Sequence, residues 1–191
     1  MKNILKFFGF LATLFIFSLA FYAAVTLWQL TPITDPSKYQ NVITLRWHDQ
    51  DLIEHFPEII PAYAGNTRLY YRGGFLQGGS TIELRVRMPD NFIESVYQKY
   101  RPEAKATYNG AEKLEGGVNH PNKLPKWRFA TFSPDEYDTQ GHPSLLPQDF
   151  EILLLQSHPS KTNPGDWNHG QSSGISISRQ RREIIYWAED W

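Results

Sequence analysis

Hydrophobic and polar residues follow one another in three different rhythms along this chain, and each predicts a different element. The first 30 residues show almost no alternation. From Phe7 to Leu30 the chain reads FFGFLATLFIFSLAFYAAVTLWQL, uncharged and without proline, interrupted only by Thr13, Ser18, Thr26 and Gln29. A helix rises about 1.5 Å per residue and a bilayer core is about 30 Å thick, so about 20 such residues span it. The pattern predicts a transmembrane anchor within residues 1–30. Lys2 and Lys6 precede the stretch, whereas Asp35 and Lys38 nearly balance beyond it. The excess of positive charge puts the N-terminus in the cytoplasm and the bulk of the chain outside. A cleaved secretory signal competes, with MKNILK as its basic region and Ser18-Leu19-Ala20 as its processing site. Cleavage after Ala20 would leave FYAAVTLWQL as the apolar start of a soluble domain, so the retained anchor is preferred.

Residues 31–41, TPITDPSKYQN, are polar with two prolines and read as a tether to a domain covering 42–191. There a period of two takes over. NVITLRW (41–47), TRLYYR (67–72) and STIELRVRMP (80–89) alternate as half-buried strands do. In the last, Ile82, Leu84, Val86 and Met88 share one face and Thr81, Glu83, Arg85 and Arg87 the other. GGFLQGG joins the second and third as a turn. A helical period appears in DNFIESVYQKY (90–100), where Phe92, Ile93, Val96, Tyr97 and Tyr100 recur at 3–4-residue spacing and Asn91 or Asp90 offers a cap. A short helix is also expected from Gln50 to Phe56, ended by Pro57. Residues 102–125 read as a long loop and 126–132 as a strand. FEILLLQ (150–156) is apolar on both faces, as a central strand covered on both sides would be. GISIS and EIIYW around RQRR predict a closing hairpin. Six or seven strands with one or two short helices and no sustained βαβ rhythm point to an α+β domain with a mainly antiparallel sheet.

Composition narrows the functional classes. Without Lys2 and Lys6, 17 basic residues stand against 20 acidic ones, a near-neutral balance that argues against a nucleic-acid partner. There is no cysteine, which removes disulfides and thiolate chemistry, so the domain must hold together by packing alone.

Candidate chemistry is sparse. GGFLQGG has the glycine density of a phosphate loop, but a strand follows it where such a loop needs a helix N-terminus, and no lysine does. His48, Asp49, Asp51, Glu54 and His55 cluster, and a helix over 50–56 would set Asp51 and His55 at i,i+4, a spacing that suits a divalent metal. Loop residues form a second candidate. If strands 126–132, 150–156 and 174–178 run antiparallel in succession, His120, His158 and His169 meet at one rim beside Asp166 and Trp167, with His142 at the other end. Three imidazoles and a carboxylate suit zinc or acid–base work. The plainer alternatives are a solvated helix start and unconnected loop histidines. YWAEDW has the residue types of a sugar-holding surface, but a last strand filling the core with its rings explains it as well. No cofactor is expected. The expected protein is therefore a single-pass, non-catalytic binding module, held by its anchor in a bacterial inner membrane and facing an envelope protein or polymer in the periplasm. A small metal-dependent hydrolase on the loop histidines, or a soluble domain released at Ala20, is the alternative.

Overall fold

The clearest alternation in the chain folds as expected: Gly65–Arg72 (β1) and Ser80–Arg87 (β2) pair antiparallel. The computed structural model describes residues 13, 15–22, 31–74, 79–110, 146–158 and 170–190. Ala106–Asn109 (β3), Glu151–His158 (β4), Gln171–Ser178 (β5) and Glu183–Asp190 (β6) complete an antiparallel sheet in the order β1-β2-β6-β5-β4-β3. The α+β class and the mainly antiparallel sheet follow from this order, with helical segments gathered on one face.

The chain divides into Met1–Pro32 and Ile33–Trp191. In the first unit Thr13 and residues 15–22 are helical. Phe15, Ile16, Phe17, Leu19, Phe21 and Tyr22 there are 60–72% exposed. Among the described residues no helix is long and apolar enough to cross a membrane, and most of the stretch predicted as an anchor lies outside them.

The second unit begins earlier than the sequence suggests. Ile33 exchanges backbone hydrogen bonds with Tyr71 at 2.8 and 2.9 Å, which ties the expected tether to β1. Asp35 then caps a 3-10 turn, Pro36–Lys38, by accepting from Ser37 N–H at 2.9 Å. Tyr39–Asn41 (α1) follows and runs into a π-helical turn, Val42–Arg46. The strand expected over 41–47 is thus a helical turn. The alternation of Ile43, Leu45 and Trp47 was misleading, since the buried residues are Tyr39, Val42, Ile43 and Trp47, which lie on one helical face, while Leu45 is 74% exposed. The helix expected over 50–56 shrinks to a 3-10 turn, Asp51–Ile53.

The helix Asp90–Tyr100 (α2) buries Ile93, Val96 and Tyr100, as its spacing predicts. Pro89 takes the cap position and Asp90 enters the first turn, so neither predicted cap operates through its side chain. α2 and residues 39–56 cover one sheet face. Tyr39, Val42, Trp47, Leu52, Phe56 and Ile93 pack there with Leu69, Ile82, Leu84, Ile175, Ile184 and Tyr186. Burying each such side chain contributes roughly 1.5–3 kcal/mol.

The other sheet face is split. On its β3–β4 side, Ile152, Leu154, Ile185 and Trp187 form a second apolar cluster with Leu146 and Phe150. Apolar residues on both faces of β4 were predicted, and Leu153 belongs to the first cluster while its neighbours belong to the second. On β2 and at the two ends of β6 the buried residues of this face are polar, namely Thr81, Glu83, Arg85, Glu183 and Glu189, with Ile185 and Trp187 between the ends of β6. Strand β3 lies inside the expected loop 102–125, and the strand expected over 126–132 lies outside the described residues. The closing hairpin is present, with longer strands than predicted.

Gly174 on β5 makes that hairpin possible. A Cβ placed there would lie 2.3 Å from the Leu153 carbonyl oxygen and 2.6 Å from Trp187 Cζ2, so the indole occupies the space a side chain would need. Because one of those atoms is backbone in the paired strand, relief requires the sheet to shift. Gly174→Ala is expected to destabilise the protein by about 1–3 kcal/mol, as overpacked cores do. A lowered denaturation midpoint with unchanged m-value in urea checks this.

Candidate functional site

The turn that closes the last hairpin brings arginines from three chain segments around one hollow. Cross-strand register does the first part. Arg68 on β1 stands directly opposite Arg85 on β2, and Gly65 opposite Arg87. Between these pairs β1 carries one extra residue, a bulge in which Asn66 has φ 44°. Asparagine tolerates this left-handed conformation better than other side chains with a Cβ. On the opposite edge of β2, Arg87 is paired with Glu183 at the start of β6. The turn Arg179–Arg182 then supplies Gln180, Arg181 and Arg182, with Arg182 at φ 57° where a glycine is more usual. Its carbonyl accepts from Met88 N–H at 2.8 Å, which fixes the turn against β2.

The hollow has a volume of about 500 Å³. Five arginines (68, 85, 87, 181 and 182) line it with Asn66 and Gln180, and Glu183 is the one lining carboxylate. Arg85 is buried, its Nε 3.7 Å from Glu183 and 4.0 Å from Glu83. Arg181 grips Asp149 with two nitrogens, at 2.8 and 3.1 Å, and this guanidinium is the main cause holding the Asp149 carboxyl below its usual range. Arg182 reaches Asp90 at 2.9 Å. Arg87 is exposed, and among the described residues it forms no ion pair. Guanidinium groups stay protonated at any physiological pH and present forked donors to oxyanions. The arrangement can bind negative charge.

A second cavity of about 280 Å³ lies on the opposite face, where His55 meets Glu54, Lys99, Tyr100, Glu103, Leu155 and Gln156. His55 is 7% exposed and its Nε2 has no hydrogen-bond partner. Burial pushes its pKa down to about 4; the Gly174 and Trp187 backbone pulls the other way without completing a bond to Nε2. Phe56 stacks edge-on against the ring at 4.8 Å and Tyr186 lies at 6.4 Å. Lys99 Nζ donates to Tyr100 Oη at 3.0 Å. Among the described residues no serine or threonine lines the cavity.

The sites expected from sequence fare differently. Asp51 is exposed on its 3-10 turn while His55 is buried, so the predicted i,i+4 metal pair does not share a surface. Of the rim residues, His158 is the exposed last residue of β4, paired with Gln171, whose amide donates to Asp49 at 2.9 Å. His120, Asp166 and His169 lie outside the described residues. Among the described residues no group of three or more His, Asp or Glu is placed to hold a metal. GGFLQGG joins β1 to β2, as its hairpin reading requires, with residues 75–78 outside the described set. In YWAEDW the rings of Tyr186 and Trp187 are buried as expected, but Glu189 is buried as well.

The arginine hollow has a sequence trace, the RVR and RQRR runs, but only register shows that they face each other. No family model matches the chain, and no curated protein or solved structure is significantly similar to it.

Proposed function

We propose that this protein is a membrane-tethered, non-catalytic binding module that captures an anionic ligand in the arginine hollow. The observation that carries the reading is the convergence of five arginines on one concavity, three of them held by Glu83, Glu183, Asp149 and Asp90 and Arg87 exposed at its edge. Permanent charge suits capture and has no role in proton transfer. The tether rests on the uncharged run from Phe7 to Leu30 and on the exposed apolar side chains of the helical residues 15–22. Positive charge before that run places the domain on the outer side of the membrane, the periplasm in a bacterial cell. The partner is then an anionic solute or an anionic group on an envelope component.

One preparation tests both halves. Full-length chain made in bacteria is expected to stay with the membranes after a carbonate wash. Once solubilised in detergent, it is expected to bind at least one of orthophosphate, pyrophosphate or citrate by calorimetry. Arg87→Ala should weaken that binding by about tenfold or more, since a hydrogen bond to a charged group contributes roughly 1.5–3 kcal/mol. Binding should also weaken as salt rises. Recovery in the carbonate supernatant overturns the tether, and silence with all three anions at millimolar concentration overturns the binding site.

A further inference from the structure

We infer that the hollow selects a compact oligoanion, a small molecule whose two or more anionic groups lie a few bonds apart as in a diphosphate. This rests on the anion-binding reading above and names its ligand class. Size is the first argument. A cavity of about 500 Å³ lies within the roughly 300–1,000 Å³ range of small-molecule sites and leaves a lone tetrahedral oxyanion mostly uncontacted.

The distribution of charge is the second. One set of guanidinium groups is rooted in the sheet: Arg68 and Arg85 oppose each other across the β1–β2 pair, and Arg87 follows two residues on. The other set, Arg181 and Arg182, hangs from the turn between β5 and β6. Cross-strand neighbours stand about 5 Å apart and alternate residues of a strand about 7 Å apart. Two linked oxyanions can divide the two sets between them, each taking paired hydrogen bonds from one.

The third argument concerns exchange. Arg181 and Arg182 are tied to Asp149 and Asp90, but their side chains are 47% and 61% exposed. The Arg182–Asp90 pair is exposed on both sides and contributes only about 0–1 kcal/mol, so a phosphate oxygen can replace that carboxylate at small cost. Asp149, 18% exposed and bound through two nitrogens, holds Arg181 more firmly. Arg85 is different: buried between Glu83 and Glu183, it supplies field and positions its neighbours without leaving its partners. Backbone conformation agrees with a built site. The two described non-glycine residues with positive φ, Asn66 and Arg182, both line this hollow, and such conformations persist where the surroundings enforce them.

Calorimetry on the full chain in detergent tests this with orthophosphate, pyrophosphate and tripolyphosphate at constant ionic strength. Pyrophosphate is expected to bind at least tenfold more tightly than orthophosphate. Arg182→Gln should remove most of that difference, and Arg182→Gly, which relieves the left-handed backbone, should do the same in a stably folded chain. Asp90→Asn releases Arg182 and should tighten pyrophosphate severalfold, a gain that a purely structural role for the pair would not produce. Equal affinity for ortho- and pyrophosphate overturns the oligoanion inference and leaves the anion site standing. Absence of binding by every anion overturns the site itself.

Discussion

Arg85→Leu is expected to cost about 3–5 kcal/mol of stability, the loss that follows when a buried pair is left with one charged member. The guanidinium sits between Glu83 and Glu183, whose side chains are 6% and 9% exposed. Leucine matches the surrounding sheet in shape but leaves both carboxylates in a place that water barely reaches. Removing the carboxylates together with the arginine, as Arg85→Leu with Glu83→Gln and Glu183→Gln, should restore most of the loss, because the penalty belongs to the orphaned charges. Urea denaturation of the detergent-solubilised chain measures both variants. A single variant as stable as the parent would show that the three groups are not mutually dependent.

Acid should destabilise the parent protein through His55, and a variant lacking the imidazole should escape that part of the loss. The folded pKa of about 4 lies below the ordinary 6.5. Between those values the unfolded chain takes up a proton that the folded chain refuses, so stability is greatest above pH 6.5 and falls as pH drops toward 4. Over that window the loss amounts to at most about 3 kcal/mol, at 1.36 kcal/mol per unit. Glu54, Lys99 and Glu103 face the same cavity, and Tyr100 joins it from α2. The carboxyls held low elsewhere, Asp35, Glu94 and Asp149, lose their stabilising contribution as pH falls from their ordinary range through their depressed values, so they add to the loss at the acid end. His55→Leu should therefore flatten stability between pH 6.5 and about 4. At pH 7 it should cost about 1 kcal/mol, the net worth of a hydrogen bond lost to the Gly174 and Trp187 backbone, since Nε2 itself has none to lose. An unchanged acid limb in the variant would assign the sensitivity to other groups.

What could be read from the sequence depended on whether local pattern or pairing decides the element. β2 was legible because its seven residues from Thr81 to Arg87 alternate without exception, and α2 because its five apolar positions fit only a helical period. Residues 41–47 were not, since a seven-residue window accommodates both periods; the deciding residue, Tyr39, lies just before it and is buried to 1% exposure. β3 has four residues in a polar stretch and owes its form to Leu154, Leu153 and Ile152 opposite it, partners more than forty residues away. The arginine hollow was illegible for the same reason. Alternation assigns Arg85 and Arg87 to one face, but nothing local sets Arg68 against Arg85 or folds RQRR back over β2. Alternation also predicts which face is polar without predicting that the polar face is buried, as Glu83, Glu183 and Glu189 are.

The place of β6 in the strand order has a consequence for biogenesis. The last strand in the chain lies at the middle of the sheet, between β2 and β5, and is the sole bridge joining the two halves. Until Asp190 has left the ribosome, each half keeps an open edge, and neither can complete its core. The six strands therefore lock together only once β6 has been made, and until then β2 and β5 both present unpaired backbone to any neighbouring strand.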